Sequence, residues 1–251
     1  MNPGLDILVT VAVETEASGL STLLSSAVRQ TIGRRAFYQT SVMGRRVGVL
    51  VTGPGMINTA QAMAALIEGL RPALIIHSGC AGYFDHSGLG LGDIGIATRE
   101  TDIHTGIESD DPVHPDPLPF ALLDDNHDMP GRYTLDMNLA RRAEILVNGA
   151  LEAMDVRTVL GPFVTVSTVT ARDQRAEALI KAYAPIMESM EGAAAAHLAR
   201  LYDVPFLEIR SAGNRVGRRD KDAWDLPLSF ERCGLCLDCL IRTLPLPGET
   251  P

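Results

Sequence analysis

Long apolar runs are missing from this sequence, since no stretch approaches the ~20 residues needed to cross a bilayer. The start, Met1 to Asp6, also has no basic segment leading into an apolar one, the form of a secretory signal. These two absences point to a cytoplasmic protein without a membrane partner. Cysteine is scarce: of four, three (Cys233, Cys236, Cys239) fall within seven residues, too few and too clustered for a disulfide framework in a chain this long. Reduced thiols are expected. The formal net charge is −9 and basic residues form only short pairs, which argues against nucleic acid as a partner because that needs a basic face to release counterions. Six scattered histidines include no H-E-x-x-H pair, so a zinc hydrolase does not fit, and no metal or cofactor is expected. A small-molecule ligand suits the composition better.

What is present is an ordinary globular chain of 251 residues, 46% hydrophobic and 21% charged, enough for one sizeable core. Leu5 to Val13 is a β-branched apolar run, the pattern of a strand buried on both faces. A helix-compatible stretch from Thr15 to Val28 follows. Ala36 to Val42 and Arg46 to Thr52 then read as a hairpin about Met43-Gly44-Arg45. Ile57 to Leu70 reads as a helix, Ala73 to His77 as a buried strand and Asp93 to Thr98 as the start of another. Beyond these, Asn138 to Met154, Ala176 to Tyr183 and Glu191 to Tyr202 are helical, and Val159 to Val169 and Pro205 to Arg210 are strand-like. The alternation indicates an α/β fold in a single domain, residues 1–251, with a parallel-rich sheet. Between about 102 and 132 the sequence turns to Asp, Pro and His and reads as a long functional, lid-like loop. In the last helix Leu226, Phe230, Cys233, Leu237, Leu240 and Leu244 recur at spacings of four and three, a stripe that should pack on the sheet.

That stripe bears on the Cys233-x-x-Cys236-x-x-Cys239 run. A metal or iron–sulfur reading lacks a fourth ligand, and Cys233 lies within the apolar face, so packing is the better account. Gly53-Pro54-Gly55 sits between a strand and a helix. It reads first as a plain turn and second as a place where backbone approaches a ligand. Gly79-Cys80-Ala81-Gly82 follows the Ala73–His77 strand, where α/β proteins place ligands. Glu14 and Glu16 leave the first strand, and Glu191 opens a helix, where a solvated acid is the plain explanation. Together, five strand ends near Glu16, Gly53, Cys80, Glu191 and Asn214 would converge on one sheet edge.

The motifs A-V-E-T-E (12–16), T-G-P-G-M (52–56), H-S-G-C-A-G (77–82), S-M-E-G-A-A (189–194) and R-S-A-G-N-R-V-G (210–217) resemble the nucleoside phosphorylase and nucleosidase superfamily in order and spacing across most of the chain. The resemblance implies a three-layer α/β/α fold about a central mixed, partly barrel-like sheet, and a homodimer or higher homo-oligomer. Within that superfamily the segment Asn214 to Pro227 is most similar to futalosine hydrolases, which release hypoxanthine in menaquinone biosynthesis.

By that resemblance Glu16 is the general base for the attacking water. Met190 packs under the ribose, and Glu191 accepts hydrogen bonds from its 2′- and 3′-hydroxyls. Cys80, Val169 and Thr170 join the substrate-binding set, and Pro54 and Trp224 line the pocket for the 5′ substituent, although Trp224 as core filler is an equal alternative. Asn214 stands where adenine-specific nucleosidases carry Asp. A carboxylate only accepts hydrogen bonds, whereas a carboxamide also donates, so Asn214 suits a 6-oxopurine. The implied reaction is hydrolysis of a 6-oxopurine nucleoside, futalosine first among them. Purine phosphorylases carry a phosphate-binding arginine where this chain has His77, which favours hydrolysis unless Arg34, Arg35, Arg45 or Arg46 reaches the pocket from a loop or a neighbouring subunit. Arg218 or Arg219 would meet a 5′ carboxylate. The alternatives are a purine nucleoside phosphorylase, a methylthioadenosine-type nucleosidase, and a nucleoside-binding protein that has lost catalysis.

Overall fold

A computed structural model describes residues 4–111, 113–123 and 129–246. Strand β1 (Leu5–Val11) leads into a 3-10 helix, Glu14–Leu20, and the short α1 (Ser21–Ser25). Then come β2 (Val28–Ile32), β3 (Arg35–Val42), β4 (Arg45–Val51), α2 (Met56–Ile67), β5 (Pro72–Tyr83) and β6 (Ile94–Asp102). The second half runs β7 (Arg132–Thr134), α3 (Met137–Leu151), β8 (Thr158–Thr165), α4 (Asp173–Tyr183), β9 (Met187–Ser189), α5 (Gly192–Leu201), β10 (Phe206–Arg215) and α6 (Leu226–Thr243).

The strands form one mixed sheet in the order β10-β6-β8-β9-β5-β1-β4-β3-β2, with β7 on β6. Because β10 also pairs with β5, the strands β5, β10, β6, β8 and β9 close on themselves into a small barrel. From it β1, β4, β3 and β2 extend as an open wing. Alternation along β1 builds the layers. Ile7, Val9 and Val11 meet α6 through Leu237 and Leu240, whereas Leu8 packs with Met63 and Leu66 of α2. Helices therefore cover both faces, as expected for α/β/α.

The α6 stripe behaves as its spacing indicates, with Cys233, Leu237, Leu240 and Leu244 all buried. Asp225 caps the helix by accepting from the Leu228 N–H at 3.0 Å. The α6 thiols have separate neighbours: Cys233 donates to the Gly79 carbonyl, while Cys239 faces that of Leu146. Burial pushes the Cys233 thiol up to about 11. The β3–β4 hairpin turns on Met43 and Gly44, both at positive φ, as a tight two-residue hairpin requires.

Two local differences from the sequence reading have physical causes. The helix expected over Thr15–Val28 is a 3-10 helix and a single α-helical turn, followed by β2, whose residues V-R-Q-T-I lie at the edge of the wing and are mostly exposed. An exposed edge strand lacks the apolar alternation that would reveal it. Strand β5 does not end at His77 but runs to Tyr83, so Gly79 to Gly82 lie inside a strand. Closing the barrel keeps these small residues in the sheet: Gly79 to Tyr83 pair with β10, and Gly82 and Tyr83 also with β9. The loop about 102–132 is irregular apart from the Ile107–Asp116 bridge and the start of β7; residues 112 and 124–128 lie outside the described residues.

Candidate active site

On one edge of β5 the pairing with β1 ends at His77 and the pairing with β9 begins at Gly82. In the gap the Cys80 N–H would lack an acceptor, and the Glu16 carboxylate supplies one at 3.0 Å. The other Glu16 oxygen accepts from the N–H groups of Ala12 and Val13 at 2.8 and 3.2 Å. Three backbone donors thus fix an acid that is only 3% exposed. Burial raises its pKa, against the lowering effects of Arg210 and these donors. Gly79 makes room for it: at φ +150°, a Cβ there would lie 2.4 Å from Glu16 Oε1.

Glu191 stands at the start of α5. Its Oε1 accepts from the Gly55 N–H at 2.8 Å and its Oε2 from the Met190 N–H at 3.3 Å. The Gly-Pro-Gly turn between β4 and α2 therefore does more than reverse the chain. It holds this carboxylate in place, while Pro54 borders the cavity.

Behind both acids lies a residue to which sequence reasoning assigned no role. Arg210, 1% exposed, donates Nε to Glu208 Oε1 at 2.7 Å, Nη1 to the Cys80 carbonyl at 3.1 Å, and Nη2 to Glu191 at 3.4 Å. Nη2 also lies 2.6 Å from His77 Nε2. A guanidinium can only donate, so His77 Nε2 accepts and its proton sits on Nδ1, 2.8 Å from Thr10 Oγ1. Burial and the neighbouring cation push the His77 pKa well down, which keeps the ring neutral. Burial pushes the adjacent Glu100 carboxyl up, with Glu208 adding to the effect. The signal in the sequence was two charges on one face of a buried strand, Glu208 and Arg210 at i and i+2, since buried charges must pair.

Glu16, Glu191 and Asn214 border one cavity of about 280 Å³. Cys80, Val169, Met190, Pro54 and Trp224 border it too. Thr170 lies one step back: its N–H and hydroxyl donate to Glu188, which is in the wall, at 3.0 and 2.5 Å. Asn214 is half-buried and spends one amide hydrogen on the Arg215 carbonyl at 3.0 Å, leaving its Oδ1 and second N–H for other partners. Trp224 is not core filler; it is partly exposed in the cavity wall, with the Arg219 guanidinium 5.0 Å from its ring centre. Arg219 borders the cavity and Arg218 does not.

His77 is fully buried behind Arg210 rather than in the cavity wall, and Arg34, Arg35, Arg45 and Arg46 do not border the cavity either. Arg46 pairs with Asp6, Arg45 donates to the carbonyls of Ile241 and Leu244, and Arg35 donates to Gln61 and Asn58. Three carboxylates, Glu16, Glu188 and Glu191, face the same space. A phosphate dianion placed there would meet like charge. Among the described loop residues, His104 and Val113 border a neighbouring cleft that shares Val169, and none borders this cavity.

The model of the family described as the phosphorylase superfamily matches residues 6–234. The chain belongs to that superfamily. Among curated relatives it is 26% identical over 237 residues to a 5′-methylthioadenosine/S-adenosylhomocysteine nucleosidase of Listeria innocua, covering 93% of this chain and 97% of the relative. It is 31% identical over 234 residues to a futalosine hydrolase of Acidothermus cellulolyticus, covering 90% and 86%. Its fold matches that of a Neisseria meningitidis 5′-methylthioadenosine/S-adenosylhomocysteine nucleosidase in complex with methylthio-immucillin-A, with a TM-score of 0.80 over 95% of this chain and 99% of that one at 20% identity. Among the described residues no helix is long and apolar enough to cross a membrane.

Proposed function

We propose that this superfamily member hydrolyses the N-glycosidic bond of a 6-oxopurine nucleoside, with futalosine as the substrate. The observation that carries the reading is the meeting of Glu16, Glu191 and Asn214 around one cavity, which among the described residues is bordered by a single arginine, Arg219, lying over Trp224. Glycoside cleavage passes through an oxocarbenium-like transition state, in which positive charge grows on the sugar and negative charge on the leaving base. Glu16 takes a proton from water as it attacks the anomeric carbon. Glu191 holds the ribose hydroxyls over Met190 and stabilises the sugar cation. Asn214 accepts from protonated N7 and donates to the 6-oxo group. Each contact strengthens as charge develops, which is where catalysis gains. At the open end Trp224 and Pro54 flank the 5′ substituent, and Arg219 meets a carboxylate on it. The loop about 102–132 serves as a lid when substrate is bound.

The test is to incubate purified protein with futalosine, inosine and methylthioadenosine, with and without phosphate, and identify the released base. Hypoxanthine from futalosine without phosphate supports the reading. Phosphate-dependent turnover makes the protein a phosphorylase, and tight inosine binding without turnover makes it a binding protein. The nucleosidase relatives favour a second reading, methylthioadenosine hydrolysis, and a substitution at Asn214 tests one against the other. Replacing it, Asn214→Asp, should raise adenine release relative to hypoxanthine by roughly ten- to a hundredfold, the range for one hydrogen bond to a charged group.

A further inference from the structure

Glu191 stands in a chain of contacts that returns to its own backbone. Its Oε2 accepts from Arg210 Nη2 at 3.4 Å, and Arg210 Nε donates to Glu208 Oε1 at 2.7 Å. On the other side the N–H of Ala193, two residues after Glu191, donates to the Thr165 hydroxyl at 2.8 Å, and that hydroxyl donates to Glu100 Oε2 at 2.9 Å. The Thr101 N–H donates to the same oxygen at 2.9 Å. Two arms therefore run from the start of α5 to a pair of acids, Glu100 on β6 and Glu208 on β10.

The joint between these acids is missing a hydrogen. Both side chains are 0% exposed, and among the described residues Glu100 Oε1 and Glu208 Oε2 meet no donor as long as both groups are ionised. The two lie within hydrogen-bonding reach of each other. They crowd over Gly192, where a Cβ would overlap Glu100 Oε1 and lie 2.6 Å from Glu208 Oε1. Two carboxylates in such contact repel, and the nearby cation, Arg210, is already shared by Glu208 and Glu191. A single proton removes the repulsion and turns an orphaned acceptor into a donor. Burial raises both carboxyls, and their mutual contact raises Glu100 further while lowering Glu208, so the proton belongs to Glu100.

We propose that Glu100 is a neutral carboxylic acid that donates its proton to Glu208, and that the ring so closed makes Glu100 a positioning residue for Glu191. Glu100 does not border the cavity. It acts on Glu191 from two directions, on the carboxylate through Glu208 and Arg210 and on the backbone through Thr165 and Ala193. The proton and the ring need no substrate. That the acid so held serves the sugar rests on the function proposed above.

The test uses the full chain and its Glu100→Gln, Glu100→Ala and Thr165→Val variants, with folding checked by thermal melt. At neutral pH the infrared spectrum of the intact protein should contain a protonated-carboxyl carbonyl band that is lost in Glu100→Gln. Persistence of every such band in that variant would show Glu100 to be ionised and overturns the proposal. The second readout is amide hydrogen exchange at Gly55, whose N–H is held by Glu191 Oε1 at 2.8 Å. Relative to the amides of β1 and β4, it should quicken roughly ten- to a hundredfold in Glu100→Ala, the range for a hydrogen bond to a charged group. Glu100→Gln should restore slow exchange, because a carboxamide can accept from Thr165 while donating to Glu208. Should Glu100→Ala not fold, Thr165→Val cuts the ring at its other arm and should quicken the same amide. Unchanged exchange at Gly55 in a folded variant, or quickening spread alike over the whole sheet, overturns the positioning role. Failure of the intact protein to release a base from futalosine counts against the proposed function alone, since neither readout involves a substrate.

Discussion

The polar contacts of Glu16 and Glu191 come from backbone N–H groups and a buried guanidinium, whereas Asn214 and Trp224 are partly exposed, Arg219 is exposed, and the three are held by a carbonyl and a stacked ring. The first end is wired into the sheet itself: Glu16 fills a break in strand pairing, and Arg210 ties β10 to β5 through the Cys80 carbonyl. The second end begins at Asn214, next to the last residue of β10, and continues along the run before α6 that carries Arg219 and Trp224. Backbone donors do not change with sequence, so a site built on them keeps its chemistry while its periphery varies. On the proposed function, the Glu16–Glu191 side is the part of this fold suited to one reaction, and the side of Asn214, Trp224 and Arg219 is the part suited to choosing a substrate.

Substitutions on the wired side should have the largest effects. Glu16→Gln keeps the shape and removes the base, so turnover should fall roughly a hundredfold to ten-thousandfold in a protein whose thermal melt is preserved, as measured by base release. Because burial raises the Glu16 pKa and only the ionised form can take a proton, activity should decline toward acid from a pH above the ordinary carboxylate range. A kcat/KM profile that stays flat down into the ordinary carboxylate range would contradict this.

Next in size, Arg210→Met leaves Glu208 and Glu191 buried without their cation. Stability in urea should drop by about 3–5 kcal/mol, the range for breaking a buried ion pair from one side. A drop under about 1 kcal/mol, the value typical of an exposed pair, would mean that the guanidinium is not the link between the two acids.

The smallest effect is expected at the open end. Arg219→Ala should raise KM roughly two- to fivefold for a nucleoside with a 5′ carboxylate, consistent with an exposed charge pair, and leave inosine unaffected. An equal change for both substrates would place Arg219 outside substrate contact and erase the contrast between the two ends.

Much of this contrast could be read in the chain, though unevenly. Leu5–Val13 and the α6 stripe were legible because burial on both faces, or on one face, imposes a period. Glu16, Met190, Glu191 and Asn214, which border one cavity, were singled out through the motifs around them. β2 was missed because an exposed edge strand carries no such period. Arg210 and Glu188 were passed over because a charge inside a strand shows its meaning only when its partner, distant in sequence, is known. The extent of β5 was underestimated because Gly79 to Gly82 lack strand propensity and are held as strand by neighbours on both sides.

What the sequence alone determined is the order of elements, the apolar faces and the acids at particular strand ends, since these follow from local period and from motif. What only the tertiary structure decided is the closure of β10 onto β5, which brings residues 16, 188, 191 and 214 around one cavity and buries Arg210 behind it. The reason is that closure is a pairing between strands more than a hundred residues apart, and hydrogen bonds of that range leave no periodic trace in either segment.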